Sequence, residues 1–309
     1  SLTCFAWMKD YFAAVGDDQP NACEIHLEPT DIKQIWSEYH NVISDCGDPS
    51  LSYGQFLSMW DNCFSHVKIR EYKAVSGKCS VCALLSEARR KTLSMAGRRF
   101  ITELHALHRT MYMGERLSYY ARRNEAMLMP HQYWSGIADG MQQSHCLLPY
   151  RGNMVPFSTT LPQHIQGVIS HGRSIQIYQT FHNLKNNANL AVHCLLSSLE
   201  ELKLAEGRIP DVLFYQVDGG TENTGNVVFG ISELIISRGL AKRVVITRLP
   251  VGHTHEDIDS KFAVIWKRVR NCFVLSPEKY ATAIEQALTT ATTKCTVHDI
   301  FIVPNYTAY

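Results

Sequence analysis

WSGIADGM at residues 134–141 and VLFYQVD at residues 212–218 are short apolar runs, and an aspartate stands at or near the carboxyl end of each, at Asp139 and Asp218. Apolar runs of about four to eight residues, bounded by turn residues, are typical of buried strands. We therefore predict two strands that each carry a carboxylate to the edge of a sheet.

The segments around these two strands predict the rest of the sheet. In chain order they are three strands, of which the last two form a hairpin, then a helix, a strand, a helix, a strand and a helix. An antiparallel start followed by alternating helices and strands predicts a mixed sheet with helices on both faces. This is the order of the ribonuclease H-like fold, so we predict an α/β protein with a mixed five-stranded sheet and flanking helices. The further segments are a hairpin at 165–172 and 174–181, helices at 190–204, 226–240, 254–270 and 277–293, and a strand at 243–249.

The composition is that of an ordinary globular protein. The chain has 309 residues, 45% of them hydrophobic, with 30 Lys and Arg against 29 Asp and Glu. This composition excludes a disordered chain or a collagen-like repeat, and a net charge of +1 gives no global attraction to nucleic acid. No apolar run approaches the ~20 residues that cross a bilayer, so we expect no membrane partner. The first ten residues lack a signal-peptide pattern, and the scattered cysteines favour the cytosol or the nucleus.

The sequence pattern divides the chain into four predicted parts. The first is a mostly helical N-terminal domain, in which a helix capped by Thr30 or Asp31 and a second apolar stripe suggest a helix-turn-helix. A small helical subdomain that only packs on its neighbour explains these stripes equally well. The parts are 1–75, the helical domain; 76–130, a Cys pair and a long basic helix; 131–275, the sheet domain with the catalytic acids; and 276–309, a C-terminal helix and tail.

The two strand-end aspartates predict a site for divalent cations. In the ribonuclease H-like arrangement the first and fourth strands are neighbours, so Asp139 and Asp218 meet at one sheet edge. Two carboxylates placed together repel and lose solvation, and a divalent cation relieves both costs. Mg²⁺ prefers carboxylate oxygens, and two such ions about 4 Å apart promote phosphodiester chemistry. We predict Mg²⁺ or Mn²⁺ as the cofactor.

A third acid is expected from the helix that opens HTHEDIDSKF at residues 253–262. The helical repeat of about 100° per residue places Asp259 beside the apolar stripe, on the same side as His255. We rank Asp259 first as the third ligand, Glu256 second and Asp257 third. His255 either orients Asp259 or acts as a general acid or base. Two alternatives remain: acids that favour the helix dipole, and an iron or zinc site of the His-His-carboxylate type.

Cys79 and Cys82 have the spacing of a zinc knuckle. His105 and His108, or His66 upstream, are candidates to complete the ligand set. The set Cys79, Cys82, His105 and His108 requires the long helix to break near Gly97. Two buried cysteines without a metal are the alternative.

Residues 83–126 form one long helical pattern with a local excess of basic side chains. Such a helix can lie along a phosphate backbone, although a solvated helix face with a few ion pairs explains the charges equally well. The candidate nucleic-acid-binding residues are Arg89, Arg90, Lys91, Arg98 and Arg99.

Five stretches of this chain together resemble a family of eukaryotic proteins that multiply in genomes as mobile elements do. The stretches are CSVC at 79–82, IADGMQQS at 137–144, GVISHG at 167–172, QVDGG at 216–220 and LPVGHTHEDID at 249–259. The resemblance covers nearly the whole chain, and GHTHEDID is its most specific part.

The resemblance implies a ribonuclease H-like domain of the integrase or transposase type. It implies DDE/D-type DNA strand cleavage and transfer with Asp139 and Asp218 as the first two acids, and a zinc-bound helical region ahead of the core. Integrases usually have Asn after the second Asp, where this chain has Gly219. The expected partners are DNA, at element ends and target, and a second copy of the chain, in the nucleus. The alternatives are a catalytically inactive, transposon-derived nucleic-acid-binding protein and a ribonuclease acting on RNA–DNA hybrids.

Overall fold

The structure is a computed structural model that describes residues 2–18, 23–27, 30–69, 79–92, 94–151, 159–217, 225–248, 253 and 257–308. The contacts between residues divide the chain into two compact units, residues 1–117 and 118–309. Each unit is described separately below. The four-part division expected from the sequence stays a prediction.

The first unit is mostly helical, as predicted. A small sheet joins its helices, in which β1 pairs antiparallel with β2, and β2 pairs parallel with β3. Its elements are α1 (Leu2–Val15), β1 (Asp17–Asp18), β2 (Ile25–Leu27), α2 (Ile32–Asp45), α3 (Tyr53–Cys63), β3 (Val67–Ile69), α4 (Ser80–Lys91) and the larger part of α5 (Met95–Leu128).

Local capping fixes where the helices of this unit begin. The Asp31 carboxylate accepts a hydrogen bond from the backbone N–H of Lys33 at 2.9 Å and thereby caps α2. Ser52 and Gln55 form a reciprocal capping box at the start of α3. The two helices pack on α1 through a buried aromatic core, and their role as a helix-turn-helix stays a prediction.

The predicted long helix is two helices in the structure. α4 ends at Lys91 and α5 begins at Met95, so the helix is interrupted just before Gly97. Thr92 adopts an extended backbone and Ser94 hydrogen-bonds the N–H of Gly97 at 3.2 Å, as an N-cap residue does. The apolar repeat continues across the break, which is why periodicity alone predicts one helix.

The second unit contains the end of α5 and a large sheet flanked by helices. None of the helices described in either unit is long and apolar enough to cross a lipid bilayer. The elements after α5 are β4 (Tyr133–Gly140), β5 (Leu147–Leu148), β6 (Leu161–Ser170), β7 (Ser174–Phe181), α6 (Ala188–Glu206), β8 (Val212–Val217), α7 (Asn226–Ser237), β9 (Arg243–Arg248), α8 (Asp257–Val269), α9 (Pro277–Leu288) and β10 (Lys294–Ile300).

The strand order confirms the predicted fold class. Among the described residues the order is β10-β7-β6-β4-β8-β9, with β5 paired on β6. β4 is antiparallel to β6 and parallel to β8, β6 and β7 form the predicted hairpin, and β8 and β9 are parallel. The five strands from β7 to β9 therefore have the ribonuclease H-like arrangement.

The sheet is larger than the predicted five strands. β10 adds a parallel edge strand beside β7, and the short β5 pairs with the start of β6. The predicted outer helix ends at Leu288 instead of residue 293, and β10 follows it after a short turn. The stretch TTATTKCTVHDI at residues 289–300 has few apolar residues to mark a strand, so the sequence does not reveal β10.

Helices bury both faces of the sheet. Ile137 and Ile169 face α8 and α9, in one core with Phe262 and Ile265. Their chain neighbours point to the opposite face, toward α6 and α7, as the alternation of a strand requires; Trp134, Ala138 and Val168 lie in that second core.

Candidate functional site

The parallel strands end together at one side of the sheet, which we call the carboxyl edge. It is the edge where β4 ends at Gly140, β8 at Val217 and β9 at Arg248. β7 runs in the same direction and ends there as well. α6 follows β7 and α7 follows β8, and both helices begin at this edge. In open α/β sheets this is the edge where ligands usually bind.

Asp139 lies at the carboxyl edge on the central strand. It pairs with Gly167 of β6, and it shares the sheet face of Ile137, which is the face that α8 covers. The side chain is half-buried, and the backbone N–H of Gly140 donates to its Oδ1 at 2.7 Å. The first predicted acid is therefore held at a strand end and reachable from the edge.

The first turns of α8 are seated directly on the strand beside Asp139. A methyl group at Gly167 would lie 3.1 Å from two carbons of the Phe262 ring and 3.2 Å from Cδ1 of Ile258. A methyl group there would require Phe262 and Ile258 to move by a few tenths of an ångström. Since Gly167 is the cross-strand partner of Asp139, Ile258 and Phe262 lie on the sheet face that Asp139 occupies. Asp259 is the residue after Ile258.

Three of the predicted catalytic residues, Asp218, His255 and Glu256, lie outside the described residues. The last described pair between β4 and β8 is Ala138 with Val217, and the residues that follow these two in the chain are Asp139 and Asp218. The assignment of Asp139, Asp218, Asp259, Glu256 and His255 as the catalytic set stays a prediction.

Asp257 is held in a cluster that anchors the first turn of α8. Its Oδ2 lies 2.7 Å from Nη1 of Arg123, accepts from the Tyr119 hydroxyl at 3.3 Å and lies 3.5 Å from Nε2 of His171. His171 is buried, and its Nδ1 lies 3.0 Å from the Ser135 hydroxyl of β4. The cluster thus connects α8 to the sheet and to the end of α5.

The electrostatics of this cluster keep Asp257 ionised. Burial raises the pKa of its carboxyl, but the hydrogen bond from His171 and the charge of Arg123 together hold that pKa below its usual value. The sequence ranks Asp257 as a weak ligand candidate but gives no sign of Tyr119, Arg123 and His171. They lie far from Asp257 in the chain, and only the fold brings them together.

The cysteine pair forms a potential metal site within the first unit. Cys79 is the residue just before α4, and its Sγ lies 3.2 Å from Nε2 of His108 on α5. The ligand atoms of Cys79, Cys82 and His108 all lie within 4.8 Å of one another. His105 is buried one turn earlier on α5, but it is not in this group of described residues.

The five predicted nucleic-acid-binding residues divide into two sets. Arg90, Lys91 and Arg99 are exposed, and the last two pair with acids one turn away, at 2.7 and 3.4 Å. Arg89 and Arg98 form hydrogen bonds within the first unit. Arg89 donates to the Tyr11 hydroxyl at 2.9 Å, and Arg98 donates to the carbonyl of Thr92 at 2.7 Å.

The strand order and the acid at the carboxyl edge place the chain in the ribonuclease H-like class of α/β proteins. Residues 155–307 match a family described as "Domain of unknown function (DUF7869)". No curated protein sequence matches the chain.

Several solved transposase structures are similar to the chain. The Mos1 Strand Transfer Complex is 12% identical, with 84% of this chain and 87% of that one covered and a TM-score of 0.35. The Mos1 transposase paired-end complex with left transposon end is 10% identical, covering 82% and 89%, with a TM-score of 0.31. The fold assignment rests on the strand order of the chain itself.

Proposed function

We propose that this chain is a transposon-derived enzyme that cleaves and joins DNA strands in a metal-dependent reaction of the DDE/D type. The observation that supports it is the position of Asp139 at the end of the central strand, on the sheet face where Gly167 receives Ile258 and Phe262. That contact puts the helix carrying Asp259 over the strand next to Asp139.

The donor chemistry fits a hard divalent cation. Asp139, Asp218 and either Asp259 or Glu256 would hold Mg²⁺ or Mn²⁺, since these ions prefer carboxylate oxygens. When bound, the ions would lower the pKa of an attacking water and stabilise the leaving oxygen of the phosphodiester. Asp139 is half-buried, so its carboxylate is fixed by the strand yet open to a ligand from the edge.

The other residues of the site orient α8. Arg123, Tyr119 and His171 hold Asp257 and thereby fix the first turn of the helix, so that Asp259 keeps one position relative to the sheet. His255 would orient Asp259 or transfer a proton near neutral pH. A pre-set arrangement of this kind lowers the cost of assembling the site when DNA binds.

Mg²⁺- and Mn²⁺-dependent cleavage of end-labelled DNA tests the proposal. We expect Asp139→Asn, Asp218→Asn and Asp259→Asn each to lower the rate by at least about a hundredfold, because each removes a charged metal ligand. Asp211→Asn is the matched control. Asp211 lies at the other end of β8, where it pairs with Lys242 at 2.7 Å on the surface, so its loss should leave the rate unchanged.

Three results would count against the proposal or favour one of its alternatives. Equal rates for wild type and Asp139→Asn would contradict the enzyme assignment. DNA affinity without any cleavage would then favour the inactive nucleic-acid-binding protein, for which Arg90, Lys91 and Arg99 offer exposed cations. Faster cleavage of an RNA–DNA hybrid than of duplex DNA would favour the ribonuclease.

We also propose a structural Zn²⁺ held by Cys79, Cys82 and His108. Two thiolates and an imidazole nitrogen are ligands that zinc prefers, and the ligand atoms are already within 4.8 Å of one another. Zinc content measured after removal of loosely bound metal should fall in Cys82→Ser and His108→Gln and stay at the wild-type level in His105→Gln. Loss of zinc in His105→Gln as well as in His108→Gln would favour the ligand set expected from the sequence, in which both histidines bind.

The cellular setting follows from the same proposal. An enzyme that joins strands acts on two DNA ends, so we propose a homo-oligomer bound to element ends and target DNA in the nucleus. Light scattering of the chain alone and with DNA would show whether it self-associates.

A further inference from the structure

Two exposed cations flank the acids at the carboxyl edge. Arg248 is the last residue of β9, and Lys185 lies in the loop between β7 and α6, which leaves the sheet at the same edge. Both side chains are exposed. Neither has a hydrogen bond or ion pair with another residue that the structure describes, so nothing within these ranges neutralises them.

The strand order places these cations on opposite sides of Asp139. β9 lies two strands away from β4 in one direction, with β8 between them, and β7 lies two strands away in the other, with β6 between them. Strands in a sheet are about 4.8 Å apart, so β7 and β9 are each about 10 Å from β4, and about 19 Å from each other. β4, the strand that carries Asp139, thus lies midway between the strand that leads to Lys185 and the strand that ends at Arg248.

DNA crossing this edge would need such charges. Duplex DNA carries one negative charge per ~1.7 Å, so a 19 Å length presents on the order of ten phosphate charges. Asp139 and Asp259 alone would repel it. Arg binds phosphate through a planar fork of donors, and Lys binds it as a point charge.

We propose that Lys185 and Arg248 bind the DNA phosphate backbone on the two sides of the acids, and so set the path of the strand across the site; this inference rests on the proposed function. The scissile phosphate would then lie between two phosphate contacts. DNA held at both sides cannot pivot about one contact, which keeps the reacting phosphorus over Asp139.

The opposite edge of the sheet offers a matched control. Arg243 begins β9 at the amino edge, and Lys203 lies in the last turn of α6, which runs from the carboxyl edge to the amino edge. Both are exposed. Replacing Lys203 and Arg243 removes the same residue types and the same net charge as replacing Lys185 and Arg248, but at the edge of the sheet away from Asp139.

DNA affinity measured by fluorescence anisotropy over a range of salt concentrations tests this inference. The measurement uses the full chain without added Mg²⁺ or Mn²⁺, so that no strand is cleaved. For Lys185→Ala/Arg248→Ala we expect affinity at low salt to fall at least about tenfold, and the slope of log affinity against log salt to become shallower by about 2, since each phosphate contact contributes about 0.9. Lys203→Ala/Arg243→Ala should bind as wild type does. In Lys185→Ala/Arg248→Lys the slope should become shallower by only about 1, since the lysine at position 248 keeps one of the two phosphate contacts.

The outcomes separate this inference from the proposed function. Equal losses for both double variants, or no loss for either, would overturn the phosphate contacts even if Asp139→Asn abolishes cleavage. A selective loss for Lys185→Ala/Arg248→Ala would support the contacts even if wild type cleaves no DNA, in which case the enzyme assignment alone fails. Thermal unfolding of each double variant checks that neither pair of substitutions disrupts the fold.

Discussion

Replacing Gly167 with alanine tests whether α8 is seated on the sheet beside Asp139. The new methyl group would approach Phe262 at 3.1 Å and Ile258 at 3.2 Å, a few tenths of an ångström closer than ordinary carbon contacts. Both side chains are buried in the core, so they have little room to retreat. Overpacking of this kind costs about 1–3 kcal/mol, and removing a glycine from a strand returns about 0.5–1 kcal/mol. We expect a net loss of roughly 1–2 kcal/mol.

Thermal unfolding of the purified chain measures this loss. A change of 1 kcal/mol shifts the midpoint by about 2–4 °C in a unit of this size, so Gly167→Ala should unfold roughly 2–8 °C lower. The cleavage rate should fall by more than the loss of folded protein explains, because the displaced helix carries Asp259. Gly230→Ala is the control, since Gly230 is a helical glycine with no atom within 4 Å of the added group, and alanine there should stabilise. If Gly167→Ala also stabilises, α8 does not rest on Gly167.

Three further predictions concern ion pairs and capping. Arg123→Leu leaves the carboxylate of Asp257 without its cation, and we expect a loss of about 1–3 kcal/mol in urea unfolding; an unchanged midpoint would show that the pair contributes nothing. Burial raises the pKa of Glu38 despite the charges of Arg89 and Arg98, so folding takes up a proton there. The stability of wild type relative to Glu38→Gln should therefore increase as the pH falls from 7 toward 4.5 and decrease again as the pH rises through the pKa of Glu38 in the folded state. A stability difference that does not change with pH would refute this. Asp31→Ala removes the cap of α2 and should cost about 1 kcal/mol, visible as a lower midpoint.

The strands with strong local signals could be predicted from the sequence. The run at 134–141 and the hairpin around Gly172 follow from apolar runs and a turn, and the structure has both. Alternation and turn residues act over a few positions, so they need no knowledge of the rest of the fold. The order of these elements predicted the class of fold. The place of Asp139 at the end of one strand predicted that its carboxylate lies at the edge of the sheet.

The features that the sequence did not predict depend on distant contacts. Nothing near Asp257 in the sequence indicates that Arg123 and Tyr119 contact its carboxylate, because more than 130 residues separate them from Asp257 in the chain. The sequence names both His105 and His108 as candidate ligands, because its spacing is compatible with either. The packing of α5 beside α4 after the break brings His108 into the group with Cys79 and Cys82.

A crystal structure of the chain grown with Mn²⁺ tests the central claim most directly, because anomalous scattering locates the ion. We expect a peak at the carboxyl edge, bound by Asp139 together with Asp218 and with Asp259 or Glu256. Carboxylates on separate faces of the sheet, or Mn²⁺ bound elsewhere while Asp139 contacts none, would contradict the assignment of this edge as the catalytic site.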